Sequence, residues 1–211
     1  AFERMEKCDS KYLREVLRLF TVTALEIGEG QQYDMEFECR DDVREEEYIE
    51  MIRLKTSVLL ACAMKIGAIL AGASKEDQEN LYHFGEYIGL AFQLQDDFLD
   101  VYGDELVFGK AIGGDICNNK KTYMLINALL RAEGKDKVAL DHWITAEQFD
   151  RNEKVTAVTD IYNRLGIDKL ANQKMEEFYQ KAVGYLDMVS VDDERKTVLR
   201  QYALNMMHRD K

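Results

Sequence analysis

The chain has 211 residues, enough to bury one sizeable core, and its formal net charge of −12 excludes general attraction to nucleic acid or to an anionic membrane surface. It contains no proline, while Leu, Ala, Glu, Lys and Met recur at helical spacing, so the composition predicts an all-α fold in a single domain, 1–211. Cys8, Cys39, Cys62 and Cys117 stand apart with no CxxC or Cys/His pairing, which argues against zinc and fits a reducing, cytoplasmic setting.

Asp9-Ser10 offers an N-cap, and Leu13, Val16, Leu17, Phe20, Ala24 and Ile27 then mark one amphipathic helix, expected to stop at Gly28 and Gly30. The charged run "RDDVREEE", Arg40 to Glu47, leads into a helix apolar on nearly every side, from Tyr48 to about Ala71. Its longest apolar stretch, Ser57 to Ala73, carries Lys65 in the middle, so no clean membrane span is expected. Ser74 caps the next helix, about Lys75 to Tyr102. An irregular segment from Gly103 to Asn119 holds four of the thirteen glycines, and a loop that long usually has a function. Five further helices are expected near 120–132, 135–149, 152–165, 168–188 and 192–208.

The stretch "FQLQDDFLDVYGDE" places acids inside an apolar helix. Gln93, Asp96, Asp97 and Asp100 fall at i, i+3, i+4 and i+7 and share one stripe, while Leu90, Ala91, Leu94, Phe98 and Leu99 cover much of the rest. Such a stripe can be the wet side of an amphipathic helix; the width of the apolar cover here places it on a cavity instead. "DDVRE", Asp41 to Glu45, has similar acid spacing in a charged setting and reads as a solvated face with local ion pairs. Carboxylates about 6 Å apart repel by roughly 3 kcal/mol at an effective dielectric near 20. A hard divalent cation offsets that, and Mg²⁺ binds through one or two carboxylates plus waters and substrate phosphate oxygens.

Lys110 and Lys120 bracket Gly113, Gly114 and Asp115, where flexible backbone N–H groups and lysines can converge on an anion. The segment is not a P-loop: five residues instead of four separate Gly103 from Gly109, and Ala111 stands where Ser or Thr is required. Lys55 interrupts an apolar helix, where an unpaired ammonium is costly. Three lysines and three aspartates describe a site for a metal-bound phosphorylated ligand.

"FQLQDDFLDVYGD…FGKAIGGDICNNKKT" closely resembles the second aspartate-rich motif and following loop of the trans-isoprenyl diphosphate synthases, the farnesyl and geranylgeranyl diphosphate synthase family. "GEGQQYDMEFE" resembles the family's Gly-Gln-x-x-Asp element through Gly30, Gln31 and Asp34, and "YIEMIRLKTSVLL" its Lys-Thr helix. Beyond about Ala132 the likeness rests on helical pattern alone. The resemblance implies antiparallel helices around a central cavity, a homodimer, and Mg²⁺-dependent head-to-tail condensation of isopentenyl diphosphate with an allylic diphosphate through an allylic carbocation. It implies that Asp96, supported by Asp97 and Asp100, holds the metal. Lys55, Lys110 and Lys120 would contact the allylic diphosphate, Gln31 and Asp34 would help bind substrate, and Thr56 and Gln93 would flank the reacting carbons.

The family's first aspartate-rich motif and the N-terminal basic residues that grip isopentenyl diphosphate are not among these residues. The expectation is therefore a C-terminal portion of a longer synthase domain, itself of little or no activity. A class I terpene cyclase is the enzymatic alternative, although no Asn/Ser/Glu metal element is found. A non-catalytic helical subunit or scaffold is the other alternative. Product chain length is not legible.

Overall fold

The computed structural model describes residues 8–104 and 112–207, and among them there are helices and no strands, as the composition predicts. Helix α1 runs Ser10–Glu38. Helix α2 (Glu45–Ile52) continues through a π-helical turn, Arg53–Ser57, into α3 (Val58–Leu70), and α4 covers Lys75–Tyr102. After them come α5 (Gly114–Cys117), α6 (Tyr123–Arg131), α7 (Gly134–Thr145), α8 (Arg151–Leu165), α9 (Ile167–Met188) and α10 (Asp193–Met207).

Gly28 and Gly30 do not end α1. Its buried residues are Val16, Thr23, Gly30 and Phe37, one every seven residues, so it packs through a single narrow seam. Gly30 lies on that seam, where a Cβ would come within 2.4 Å of the Lys55 backbone nitrogen. The glycine is there for close approach, and its helix cost of about 1 kcal/mol is offset by packing. The central helix starts three residues before the expected Tyr48, because Glu45, Glu46 and Glu47 complement its N-terminal dipole and Glu47 Oε2 accepts the Arg44 N–H at 3.0 Å.

Helix α4 lies between α3 and α9. Cβ atoms at Gly85 and Gly89 would stand 2.8 Å from Ala61 Cα and 2.6 Å from Ser57 Cα, so the backbone of α4 closely meets those of α3 and of the π-helical turn. The main core joins Tyr48, Met51 and Ile52 to Leu90, Ala91 and Leu94 and to α6, α8 and α9. A second cluster, Phe84, Ile88, Ala182, Leu186 and Ala203, brings in α10. The caps at Ser74, Thr122 and Asp150 accept from the N–H groups of Asp77, Leu125 and Glu153. Helix α7 stops at Thr145, four residues short of expectation, and the irregular segment holds the short helix α5. Residues 105–111, with Lys110, lie outside the described part.

Asp77, 6% exposed, accepts from the Ser190 N–H at 2.7 Å and hydroxyl at 2.6 Å, tying the start of α4 to the α9–α10 connection. The Ser190 hydroxyl and N–H hold its carboxyl below the usual range. A depressed folded pKa adds stability that is present above the unfolded carboxylate pKa of about 3.9 and is lost as pH falls through the folded value. Asp77→Asn should lower stability at pH 7 by about 1–2 kcal/mol, and should flatten the loss below pH 4. Urea melts between pH 2 and 7 check this; equal acid sensitivity in both proteins would show that other carboxylates dominate.

Candidate active site

The acidic stripe of α4 faces inward in part. Asp97 is 3% exposed and fully engaged: Tyr48 Oη donates to its Oδ2 at 2.6 Å, and Gln93 Nε2 and Lys120 Nζ donate to its Oδ1 at 3.2 and 3.4 Å. Asp100 Oδ2 accepts the Asp115 N–H at 2.8 Å, and the Asp100 carbonyl accepts the Gly113 N–H at 2.6 Å. Gly113 has φ +81°, a left-handed conformation that turns the chain into α5 and brings Asp115 beside the stripe. Asp96 is half-buried, and no described residue bonds its carboxylate.

Opposite stands the π-helical turn. Lys55 Nζ donates to Asp34 Oδ2 at 2.5 Å, and Thr56 Oγ1 donates to Gln93 Oε1 at 3.1 Å. The wider turn puts two consecutive residues, Lys55 and Thr56, in contact with different neighbours, one reaching α1 and the other α4. Asp34 also lines a cleft of about 450 Å³ with Phe37, Glu38, Asn118, Asn119, Lys120 and Lys121. Gln31 is exposed on α1, and its side chain makes no hydrogen bond among the described residues.

Lys120 also approaches Asp115 Oδ2 at 3.6 Å. Burial alone would lower the lysine's pKa, but Asp97, Asp115 and Asp34 more than offset that and raise it. Burial pushes the Asp97 carboxyl up despite Lys120 and Tyr48. Burial and repulsion from Asp97 and Asp100 push Asp115 up to about 7 against the pull of Lys120. The lysine and its acids thus shift upward together, because one ammonium cannot neutralise several buried carboxylates. The site is short of positive charge and its donors are hard oxygens, a set that fits Mg²⁺. Among the described residues no three His, Cys, Asp or Glu form a ready-made metal cage, and Mg²⁺ does not require one when ligand oxygens complete its shell.

The structure therefore brings together Lys55, Thr56 and Asp34 on one side and Gln93, Asp97, Asp100 and Lys120 on the other. Tyr48 and Asp115 belong to the site and were not among its expected members. Tyr48 could have been found as a polar tip on the buried face of an apolar helix, which needs a partner. Asp115 depends on the left-handed turn at Gly113. "DDVRE" is solvated as expected: Asp41 is 96% exposed, and Arg40 pairs with Asp42 and Glu47.

In this all-α chain the acid stripe of α4 meets Lys120 directly and the Lys55–Thr56 turn through Gln93, an arrangement of hard oxygens and ammonium groups suited to a metal-bound anionic ligand. The chain belongs to the polyprenyl synthetase family, whose model matches residues 1–162. It is 38% identical over 190 residues to the short chain isoprenyl diphosphate synthase of Methanothermobacter thermautotrophicus, covering 90% of this chain and 58% of that protein. A crystal structure of a geranylgeranyl pyrophosphate synthase superposes with a TM-score of 0.91 at 38% identity, over 98% of this chain and 64% of the other. That of geranylgeranyl pyrophosphate synthase from Corynebacterium glutamicum, complexed with isoprenyl diphosphate and magnesium, gives 0.86 at 28% identity over 95% and 57%. The chain thus spans less than two thirds of each of these relatives, and its fold is the helical fold of the isoprenyl diphosphate synthases.

Proposed function

We propose that the chain is the C-terminal portion of a prenyltransferase that condenses isopentenyl diphosphate head-to-tail with an allylic diphosphate, and that it acts as a homodimer in the cytoplasm. The observation that carries the reaction is the convergence of Lys120, Asp97, Asp100 and Asp115 beside Lys55 and Thr56. Magnesium in the Corynebacterium glutamicum complex supports the choice of metal. Asp96 and the Oδ1 of Asp100, which no described residue bonds, would hold Mg²⁺, while Asp97, fixed by Tyr48, Gln93 and Lys120, keeps the stripe in place. Bound there, Mg²⁺ supplies charge neutralisation for the departing diphosphate.

Lys55 and Lys120 orient the diphosphate and stabilise the negative charge that grows as the C–O bond breaks. Lys55 is held for this by Asp34, and a ligand phosphate would share its three donors. Thr56 and Gln93, bonded to each other, present oxygen dipoles toward the allylic carbons. The apolar faces of α3 and α4 exclude water from a cation that water would quench. Isopentenyl diphosphate then adds through its double bond, and loss of a proton completes the condensation.

The free thiols and the lack, among the described residues, of any helix long and apolar enough to cross a membrane support the proposed setting. The 211-residue chain should bind Mg²⁺ with inorganic pyrophosphate yet turn over little, since one acidic stripe serves where the family uses two. Titration calorimetry and product analysis with mixed substrates test this. Heat without product is expected; no heat would remove the diphosphate site, and a cyclic product without isopentenyl addition would favour the cyclase.

A further inference from the structure

Lys154 on α8 is 1% exposed, and none of the described carboxylates pairs with it. Its Nζ donates to Asn119 Oδ1 at 2.8 Å and to the Cys117 carbonyl at 3.3 Å, and it lies 4.2 Å from the Phe149 ring centroid. An ammonium buried against neutral acceptors is costly, and burial pushes its pKa down. Where packing alone is needed, an apolar side chain of similar volume serves better. What the lysine does at this place is satisfy a turn.

Asn119 has φ +50°, a left-handed conformation that asparagine tolerates when its side chain is anchored. The anchor is double: Oδ1 accepts from Lys154, and Nδ2 donates to the Ile144 carbonyl in the last turn of α7 at 2.9 Å. The next residue is Lys120, whose N–H is held by the Asp115 carbonyl at 3.0 Å. Asn118, Asn119, Lys120 and Lys121 together form one wall of the 450 Å³ cleft.

We propose that Lys154 is a positioning residue: acting through Asn119, it fixes the 117–121 turn so that Lys120 meets the Asp97 and Asp115 carboxylates and a bound diphosphate. The inference rests on the diphosphate reading of the cleft. Lys154 touches neither ligand nor metal in this scheme. Its influence is carried by one side-chain amide and one backbone carbonyl.

The test uses the whole 211-residue chain, with Mg²⁺ and inorganic pyrophosphate as the probe in calorimetry and amide hydrogen exchange as a second readout. Lys154→Met keeps the length and removes the donors; it should weaken binding about tenfold, and should strip protection from the Asn119 and Lys120 amides. Lys154→Arg should recover part of both. The double variant Lys154→Met/Lys120→Ala should bind no more weakly than Lys120→Ala alone, since one residue works through the other. If Lys154→Met does not fold, Asn119→Gly removes the same acceptor while permitting the positive φ, and should give the same two losses.

Affinity within twofold of the parent with unchanged exchange would overturn the positioning role and leave the diphosphate reading standing. So would multiplicative losses in the double variant. An unmodified chain that does not bind Mg²⁺ and pyrophosphate would instead sink the diphosphate reading, and the role of Lys154 with it.

Discussion

In a protein that carries the proposed prenyl-transfer activity, Asp96→Ala should lower the rate by about 10²–10³-fold, the range seen when one preorganised stabiliser of developing charge is removed. The effect is specific to this carboxylate. Asp97 is saturated by Tyr48, Gln93 and Lys120, and Asp100 has one oxygen committed to the Asp115 N–H. Asp96 alone of the three has no side-chain bond among the described residues, so both of its oxygens remain for a cation. The loss should fall on kcat more than on KM, because the charge it answers grows as the diphosphate leaves. Raising Mg²⁺ should restore only part of the rate. Steady-state kinetics at several Mg²⁺ concentrations would check this, and a variant at wild-type kcat would move the metal elsewhere on the stripe.

Gly30→Ala should destabilise the chain by about 1–3 kcal/mol, in the range for overpacking a tight contact. For a domain near 200 residues that is a drop of roughly 2–4 °C in Tm per kcal/mol. The added Cβ would stand 2.4 Å from Lys55 N and 2.8 Å from Leu54 C, which are backbone atoms and cannot turn aside. Either α1 or the π-helical turn must therefore shift. Asp34, one turn further along α1, holds Lys55, so the same substitution should weaken Mg²⁺-dependent pyrophosphate binding as well. At Gly28, where a Cβ meets nothing within 4 Å, Ala should be neutral or slightly stabilising. Thermal melts of the two variants side by side separate close approach from helix propensity.

These two glycines also show where sequence reasoning reached its limit. Helix α4 could be placed to the residue, because a Ser cap marks its start and Gly103 opens the irregular segment at its end. Helix α1 could not, because a glycine that stops a helix and one that lets two backbones meet look alike until the partner is known. The acid stripe was legible from spacing and apolar cover. Its internal division of labour was not: that Asp97 is consumed by Tyr48 depends on a contact 49 residues away in sequence. Asp115 was hidden for a similar reason, since its approach to Asp97 and Asp100 is made by a left-handed turn at Gly113 and not by any helical period.

The π-helical turn at Arg53–Ser57 sets a condition on how this chain can vary. Such a turn holds one residue more than ordinary winding needs. Deleting a single residue there would let the backbone relax to a regular helix with α2 and α3 still in register, while the residues inside the turn would be re-aimed. Leu54 and Ser57, now enclosed, would swing off their present faces, and the threonine would part from its glutamine. Length in this short interval is thus under tighter constraint than side-chain identity, so insertions and deletions should be far less tolerated there than point changes.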